Sequence, residues 1–158
     1  MHHRIALRSI DDNDESLLFR VFCSVREDRF AALGLPAPQL EQLLSGQFKT
    51  QQSQYRSEFP AANFDLVVLD GKPIGNLYAL HGPDAFFLID VALLPQNRNS
   101  GIGAYLVRQL IAEARQASQP LRAQVLKGNP AWRLWQRLGF REVSDDGVYL
   151  GIEVPVAE

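Results

Sequence analysis

Cysteine is almost absent from this chain of 158 residues: Cys23 stands alone, so no intramolecular disulfide can form. A surplus of either charge is also missing. The formal net charge is −2, from 16 Lys and Arg against 18 Asp and Glu, which argues against a positively coated binder of nucleic acid. A small local phosphate site stays compatible with that balance. Long apolar runs are lacking too. The longest, AFFLIDVALL, is broken by Asp90 and falls well short of the ~18 residues of a membrane span. The opening MHHRIALRSIDDNDE has no apolar core of the kind a signal peptide needs. His2 and His3 have no further ligands at metal-site spacing, so no metal is expected. These absences point to a soluble protein of a reducing cytoplasm, with neither membrane nor nucleic acid as partner. What is present is ordinary globular material: 46% apolar and 22% charged residues, at a length that fits one domain over residues 1–158.

Periodicity outlines the elements. Ile5 to Ile10 alternates as a half-buried strand, and DDNDE then offers N-caps for a helix running through LLFRVFCSVREDRFAAL. After GLPAP, apolar residues recur at helical spacing from Gln39 to Phe59. FDLVVLDGKPIGNLYAL reads as a hairpin turning at Asp70-Gly71, a pair that tolerates the positive φ of a tight turn. A third strand covers Phe86 to Leu94. An amphipathic helix follows from Gly101 to about Ala117, with Ile102, Leu106, Leu110 and Ala114 in one stripe. LRAQVL is a strand, and NPAWRLWQRL is a short helix with Asn129 as N-cap and Pro130 at its first position. GFREV and VYLGIEV close the chain as strands.

The chemically informative segment is a strand, Pro95, a polar loop, and then Arg98-Asn99-Ser100-Gly101-Ile102-Gly103 opening a helix. A helix start exposes unpaired N–H groups at the positive end of its dipole, and glycines let a phosphate come close to the backbone. Arg98 can add a charged donor fork. A dinucleotide fingerprint would need a third glycine where Leu106 stands, and a P-loop would need Gly-Lys followed by Ser or Thr, which is absent.

The run VALLPQNRNSGIG resembles the acyl-CoA-binding signature of the GNAT superfamily of N-acyltransferases, Q/R-x-x-G-x-G/A. Downstream, NPAWRLWQRLGF resembles that family's Asn-initiated helix ending in LGF. The resemblance spans essentially the whole chain and is specific from about Phe86 to Phe140. It implies an α/β fold, a mixed and largely antiparallel sheet flanked by helices, with acetyl-CoA as cosubstrate. It assigns the pyrophosphate to the backbone amides of Arg98, Asn99, Ser100, Gly101, Ile102, Gly103 and Ala104, and the pantetheine arm to the backbone of Leu93 and Leu94. The family's strand bulge aims one backbone N–H at the thioester oxygen, and by alignment that donor is Val91. Asn129 contacts the cofactor arm in the family, although a plain N-cap role serves equally well here.

One departure stands out. Where the family often has a Tyr that protonates the leaving thiolate, this chain has Trp135, whose indole donates a hydrogen bond but supplies no proton. A thiolate is a tolerable leaving group without help, and water or Tyr149 can substitute; Trp135 can equally be core. For the base, Asp90 leads, because it interrupts an apolar strand. Strict alternation puts it on one face with Phe86, Leu88 and Ala92. Burial there would raise its pKa, although a structural carboxylate fits the same position. Glu27, Asp28 and Glu58 read as surface charges, His81 as an exposed loop residue without a partner, and Cys23 as a small buried hydrophobe. The resemblance makes REDRFAALGLPAP and the face of Gln47, Gln51, Gln54 and Arg56 the acceptor side. It implies acetyl transfer to a primary amine of a small molecule or peptide, in a chain that can form a homodimer. A non-catalytic acyl-CoA-binding module on the same fold is the alternative that Trp135 raises.

Overall fold

The computed structural model describes residues 4–156; His2 and His3 lie outside them. Seven strands, β1 (Ile5–Ser9), β2 (Asn63–Leu69), β3 (Lys72–His81), β4 (Phe86–Leu93), β5 (Leu121–Leu126), β6 (Arg141–Asp145) and β7 (Tyr149–Val154), form one sheet. Their order is β1-β2-β3-β4-β5-β7-β6. Every neighbouring pair is antiparallel except β4 and β5. Four helices flank it: α1 (Glu15–Ala31), α2 (Ala37–Glu58), α3 (Ile102–Gln116) and α4 (Trp132–Leu138).

Local chemistry sets the joints. Asp70 and Gly71 both take positive φ, 51° and 82°, as a tight hairpin turn demands. At the start of α1, Asp14 Oδ2 accepts the Asp11 amide at 2.8 Å while both its oxygens accept the Arg8 guanidinium at 2.9 and 3.1 Å. The Arg8 hydrogen bonds hold the Asp14 carboxyl below the usual range and tie β1 to the first helix. The α4 helix begins later than the sequence pattern predicts. Its N-cap is Ala131, and Asn129 Oδ1 instead accepts the Ala131 N–H at 2.9 Å, capping the turn that leads in.

Two cores lie on opposite faces of the sheet. One holds the α3 stripe, Ile102, Leu106, Val107, Leu110, Ile111 and Ala114, against β3, β4, β5 and β7. The other packs Leu18, Phe22 and Phe30 of α1 and Leu44 and Phe48 of α2 against Leu66. Burying each such side chain contributes ~1.5–3 kcal/mol. Among the described residues no helix is long and apolar enough to cross a membrane.

The β3–β4 pair carries a register shift: Tyr78 opposes Asp90, but Ala79 opposes Leu88. One extra β4 residue, Ile89, is therefore accommodated in a bulge. The insertion overturns the simple alternation. Asp90 does not share a face with Phe86 and Leu88, which pack in the α3 core; it joins Tyr78 and Asn76 on the α1/α2 side.

Gly75 lets the two strands meet. A Cβ built there would collide with the Ala92 carbonyl oxygen and the Leu93 side chain. At Gly46, within α2, an added Cβ meets nothing within 4 Å. Opposite signs are therefore expected in thermal unfolding. Gly75→Ala should destabilise by ~1–3 kcal/mol, whereas Gly46→Ala should stabilise by ~0.5–1 kcal/mol because it removes backbone entropy from the unfolded chain.

Candidate active site

The β4–β5 ladder consists of two residue pairs, Phe86 with Leu121 and Phe87 with Arg122, and then stops. Beyond it the strands diverge. The Leu94 amide donates to Ile74 O on β3 at 2.8 Å, so, by the alternation of an antiparallel ladder, the Leu93 and Val91 amides turn the other way, into the gap. The gap encloses about 220 Å³ and is lined by Asp90, Val91, Val125, Asn129 and Trp135 among others. It adjoins a larger cleft of about 970 Å³ bounded by α1, α2, β3, β4, the start of α3 and the start of α4.

At one end of that cleft lies the first turn of α3. Asn99 (φ 58°) and Gly101 (φ 85°) are left-handed, and Gly101 is the N-cap, with no side chain to satisfy the helix amides. The amides of Ile102, Gly103 and Ala104 are thus the orphan donors of a 15-residue helix. A Cβ at Gly103 would meet nothing within 4 Å, so the space over this turn is open. The Ser100 Oγ donates to Asn97 O at 2.7 Å. A pyrophosphate fits this turn by its donors and its free volume.

Not every expected residue is free at the cleft. The Arg98 guanidinium is engaged within the chain: Nε donates to Leu93 O and Nη2 to Ser24 Oγ, each at 2.9 Å. It braces the end of β4 against α1 while still lining the cleft, so the fork expected for phosphate is engaged in part within the protein. Leu94 is buried and its amide is used by β3. Tyr149 is 44% exposed and does not line the main cleft. Trp135 lines both the cleft and the gap while its ring packs edge-on against Phe140, 6.1 Å between centroids; Trp132 packs against the same core without lining either.

Asp90 is enclosed by the sheet and the two helices. Its Oδ2 accepts the Asn76 Nδ2 at 2.9 Å. Burial pushes its carboxyl up, against the pull of the Asn76 hydrogen bond and the Arg26 charge. Tyr78, beside it, is pushed up to about 12 by burial and donates to Gln52 Oε1 at 3.2 Å. Burial likewise raises Tyr55, whose ring stands edge-on to Tyr78 at 5.8 Å. Sequence reasoning missed Asn76, Tyr78 and Gln52, and reached Arg26 only as the first residue of REDRFAALGLPAP, without a role of its own. Asn76 carried a usable signal, a lone amide inside the apolar run IGNLYAL; Gln52 carried none.

Of the remaining candidates, Gln51 lines the main cleft, and Gln47 and Gln54 line a shallow groove beside it. Arg56 stacks on Phe64 instead, 4.7 Å from the ring centroid. Glu27, Asp28 and Glu58 are exposed. His81 does have partners: Nε2 lies 2.9 Å from Glu113 Oε2 and Nδ1 3.3 Å from Asn63 Nδ2. That cluster sits on the α3 side of the sheet, away from the cleft. Cys23 is half-buried against the α1/α2 core, and burial raises its thiol. Among the described residues no group of three or more His, Cys, Asp or Glu side chains is arranged to hold a metal ion.

Comparison with known proteins gives the geometry a context. The model of the acetyltransferase (GNAT) family matches residues 24–140. No curated protein matches the sequence. Among solved structures, the PaiA N-acetyltransferase of Thermoplasma acidophilum in complex with coenzyme A aligns over 96% of this chain and 98% of its own, with 16% identity and a TM-score of 0.71. An acetyltransferase from Thermus thermophilus aligns over 96% and 97%, with 26% identity and a TM-score of 0.68.

The raised Asp90 carboxyl fixes the sign of a stability test. Below the unfolded value of about 4 the group is neutral in both states and has no effect. As pH rises, the unfolded chain releases the proton first, so stability falls until the folded pKa is passed and stays lowered above it. Asp90→Asn is therefore expected to melt higher than the parent at pH 7, with the difference shrinking as pH falls toward 4. Thermal unfolding across that range checks it, and a variant less stable at every pH would contradict the assigned cause.

Proposed function

The chain belongs to the acetyltransferase (GNAT) family, and on that premise we propose that it moves the acetyl group of acetyl-CoA to a primary amine held in the cleft between α1, α2 and the sheet. One observation carries the reading: β4 leaves β5 after two residue pairs, so backbone donors face a gap that leads to an uncapped helix N-terminus. Acetyl-CoA, when bound, supplies an activated acyl thioester. The amides of Ile102, Gly103 and Ala104 hold its pyrophosphate at the start of α3, and the Leu93 N–H meets the pantetheine arm as a further strand would.

The remaining steps belong to the protein. The Val91 N–H, fixed by the bulged strand, faces negative charge developing on the acyl oxygen. Asp90 removes a proton from the incoming ammonium, because only the free amine has a lone pair to offer. Asn76 orients that carboxylate through its 2.9 Å hydrogen bond. The amine nitrogen gains its bond to the acyl carbon as the carbon–sulfur bond breaks, its second proton passes to water, and the thiolate departs past Trp135 and takes a proton from water in turn. Buried Tyr55 and Tyr78, with pKa values above the ordinary phenol, stay protonated at neutral pH and serve as hydrogen-bond donors rather than bases.

Thiol release from acetyl-CoA, measured across a panel of amines, tests the activity directly. Release with some amine is expected; CoA binding without release under any amine would leave a non-catalytic binding module instead. The phosphate assignment has its own test. Gly103 is the position to change, because Gly101 at φ 85° would strain any side chain. Gly103→Glu places a carboxylate in the open space over the helix turn. Calorimetry is expected to show CoA affinity lowered by ~10²-fold or more at an unchanged circular dichroism spectrum, given charge repulsion in a poorly screened site.

Trp135 gives a further test. Trp135→Tyr puts a phenol of pKa ~10 at the thiolate end of the gap. Where thiolate departure limits the rate, turnover should rise and the alkaline limb of its pH profile should shift. An unchanged rate and profile would show that departure does not depend on this position.

A further inference from the structure

The cleft wall holds an arginine that the proposed chemistry does not use. Arg26 projects from the middle of α1, half-buried, and lines both the main cleft and the adjoining shallow groove. Its guanidinium lies 3.7 Å from the centroid of the Phe22 ring, and Nη1 donates to Phe22 O at 3.2 Å. Among the described residues no carboxylate reaches it as an ion pair. A guanidinium has five donors in a planar fork, and the bond to Phe22 O engages one of them. The acidic group that acts on it is Asp90, which does so through space without contact.

Half-burying a cation without an anionic partner is unfavourable, and burial does depress the Arg26 pKa. Such a group is tolerated where a ligand supplies the anion, and the fork geometry of arginine matches a carboxylate. The stacking on Phe22 holds the plane of the guanidinium and so preorganises that fork. In the same cleft, and within reach of its field, the Asp90 carboxylate with its Asn76 partner presents the complementary charge to an ammonium. Gln51 and Gln52 line the same cleft with amides that donate and accept. The cleft therefore carries a separated plus and minus of its own. A zwitterion matches both ends, whereas a polyamine would bring a second cation against Arg26.

We propose that the acceptor is a small primary amine that also carries a carboxylate, an amino acid or a close amino-carboxylate, with its carboxylate on Arg26 and its amine toward Asp90. This rests on the acetyl-transfer reading and names the substrate class of that same site.

The twenty amino acids and their carboxamides form the test set, since each pair shares one amine and differs in the anion. Amidation makes an α-amine easier to deprotonate, so any bias from basicity runs against the proposal. In the thiol-release assay kcat/KM is expected to favour the acid of the preferred pair by ~10- to 100-fold, the size of a charge-assisted contact. In Arg26→Gln the ratio should fall toward one, with the loss in KM for the acid. Arg26→Lys, which keeps the charge and lacks the fork, should fall between, and it serves should the glutamine variant fold poorly. Calorimetric titration of acids and amides into the CoA-saturated protein reads the same preference without turnover. Acid binding that is lost in Arg26→Gln supports the carboxylate site even where no thiol is released, which separates this inference from the transfer reading. Equal binding of acid and amide, or a preference untouched by Arg26→Gln, overturns it.

Discussion

Backbone groups in a sheet must find partners, and the way β4 fails to find one governs the architecture of the site. On its β3 side the strand is paired through Leu93 at every residue but the bulged Ile89, yet on its β5 side it is paired only at Phe86 and Phe87. The amides of Val91 and Leu93 thus face a gap instead of a neighbour. A buried N–H without a partner is costly, so the chain keeps that gap open to solvent and to a ligand that can complete the ladder. The opening is held from both sides. On one, Arg98 clamps the Leu93 carbonyl and reaches Ser24 on α1. On the other, α4 sits over the gap with Trp135 wedged between the cleft and Phe140.

The bulge at Ile89 has a second consequence. By adding one residue to β4 it turns Asp90 away from the α3 core and toward α1 and α2, where Asn76, Arg26, Tyr55 and Tyr78 surround it. A carboxylate there is costly for folding and useful for taking a proton, and the same burial accounts for both. The tyrosines around it, raised by the same burial, add hydrogen-bonding capacity without adding charge. Among the described residues Arg26 is the one cation whose field opposes the rise of that carboxyl. The two faces of the sheet consequently differ in role. The α3 face is a dense apolar core with the His81, Glu113 and Asn63 cluster at its rim. The α1/α2 face gives up part of its packing to a polar cleft.

Much of this was legible from the residues. Alternation, helical periodicity, the Asp-Gly turn and the Gly101-Ile102-Gly103 junction are local signals, because propensity, turn geometry and amphipathic burial act over a few neighbouring residues. They placed the strands, all four helices and the helix N-terminus that faces the cleft. Trp135 and Gln51, which both line the cleft, were also within reach, since the family pattern fixes their position along the chain.

Three features lay beyond local signals. The face on which Asp90 points depends on one residue of strand register, which is settled by how β3 and β4 pair and by Gly75 permitting their close approach. Whether Arg98 meets a phosphate or a carbonyl depends on where α1 lies, since Ser24 is 74 residues away in sequence. Arg26 and Asp90 share a cleft for the same reason, one on a helix and the other on a strand far along the chain. The sequence by itself determined the elements, the apolar stripe of α3 and the glycine-opened turn at its start, all products of short-range spacing. Only the tertiary structure decided which polar groups confront one another across the cleft, because register and helix placement are collective outcomes of packing that no single segment encodes.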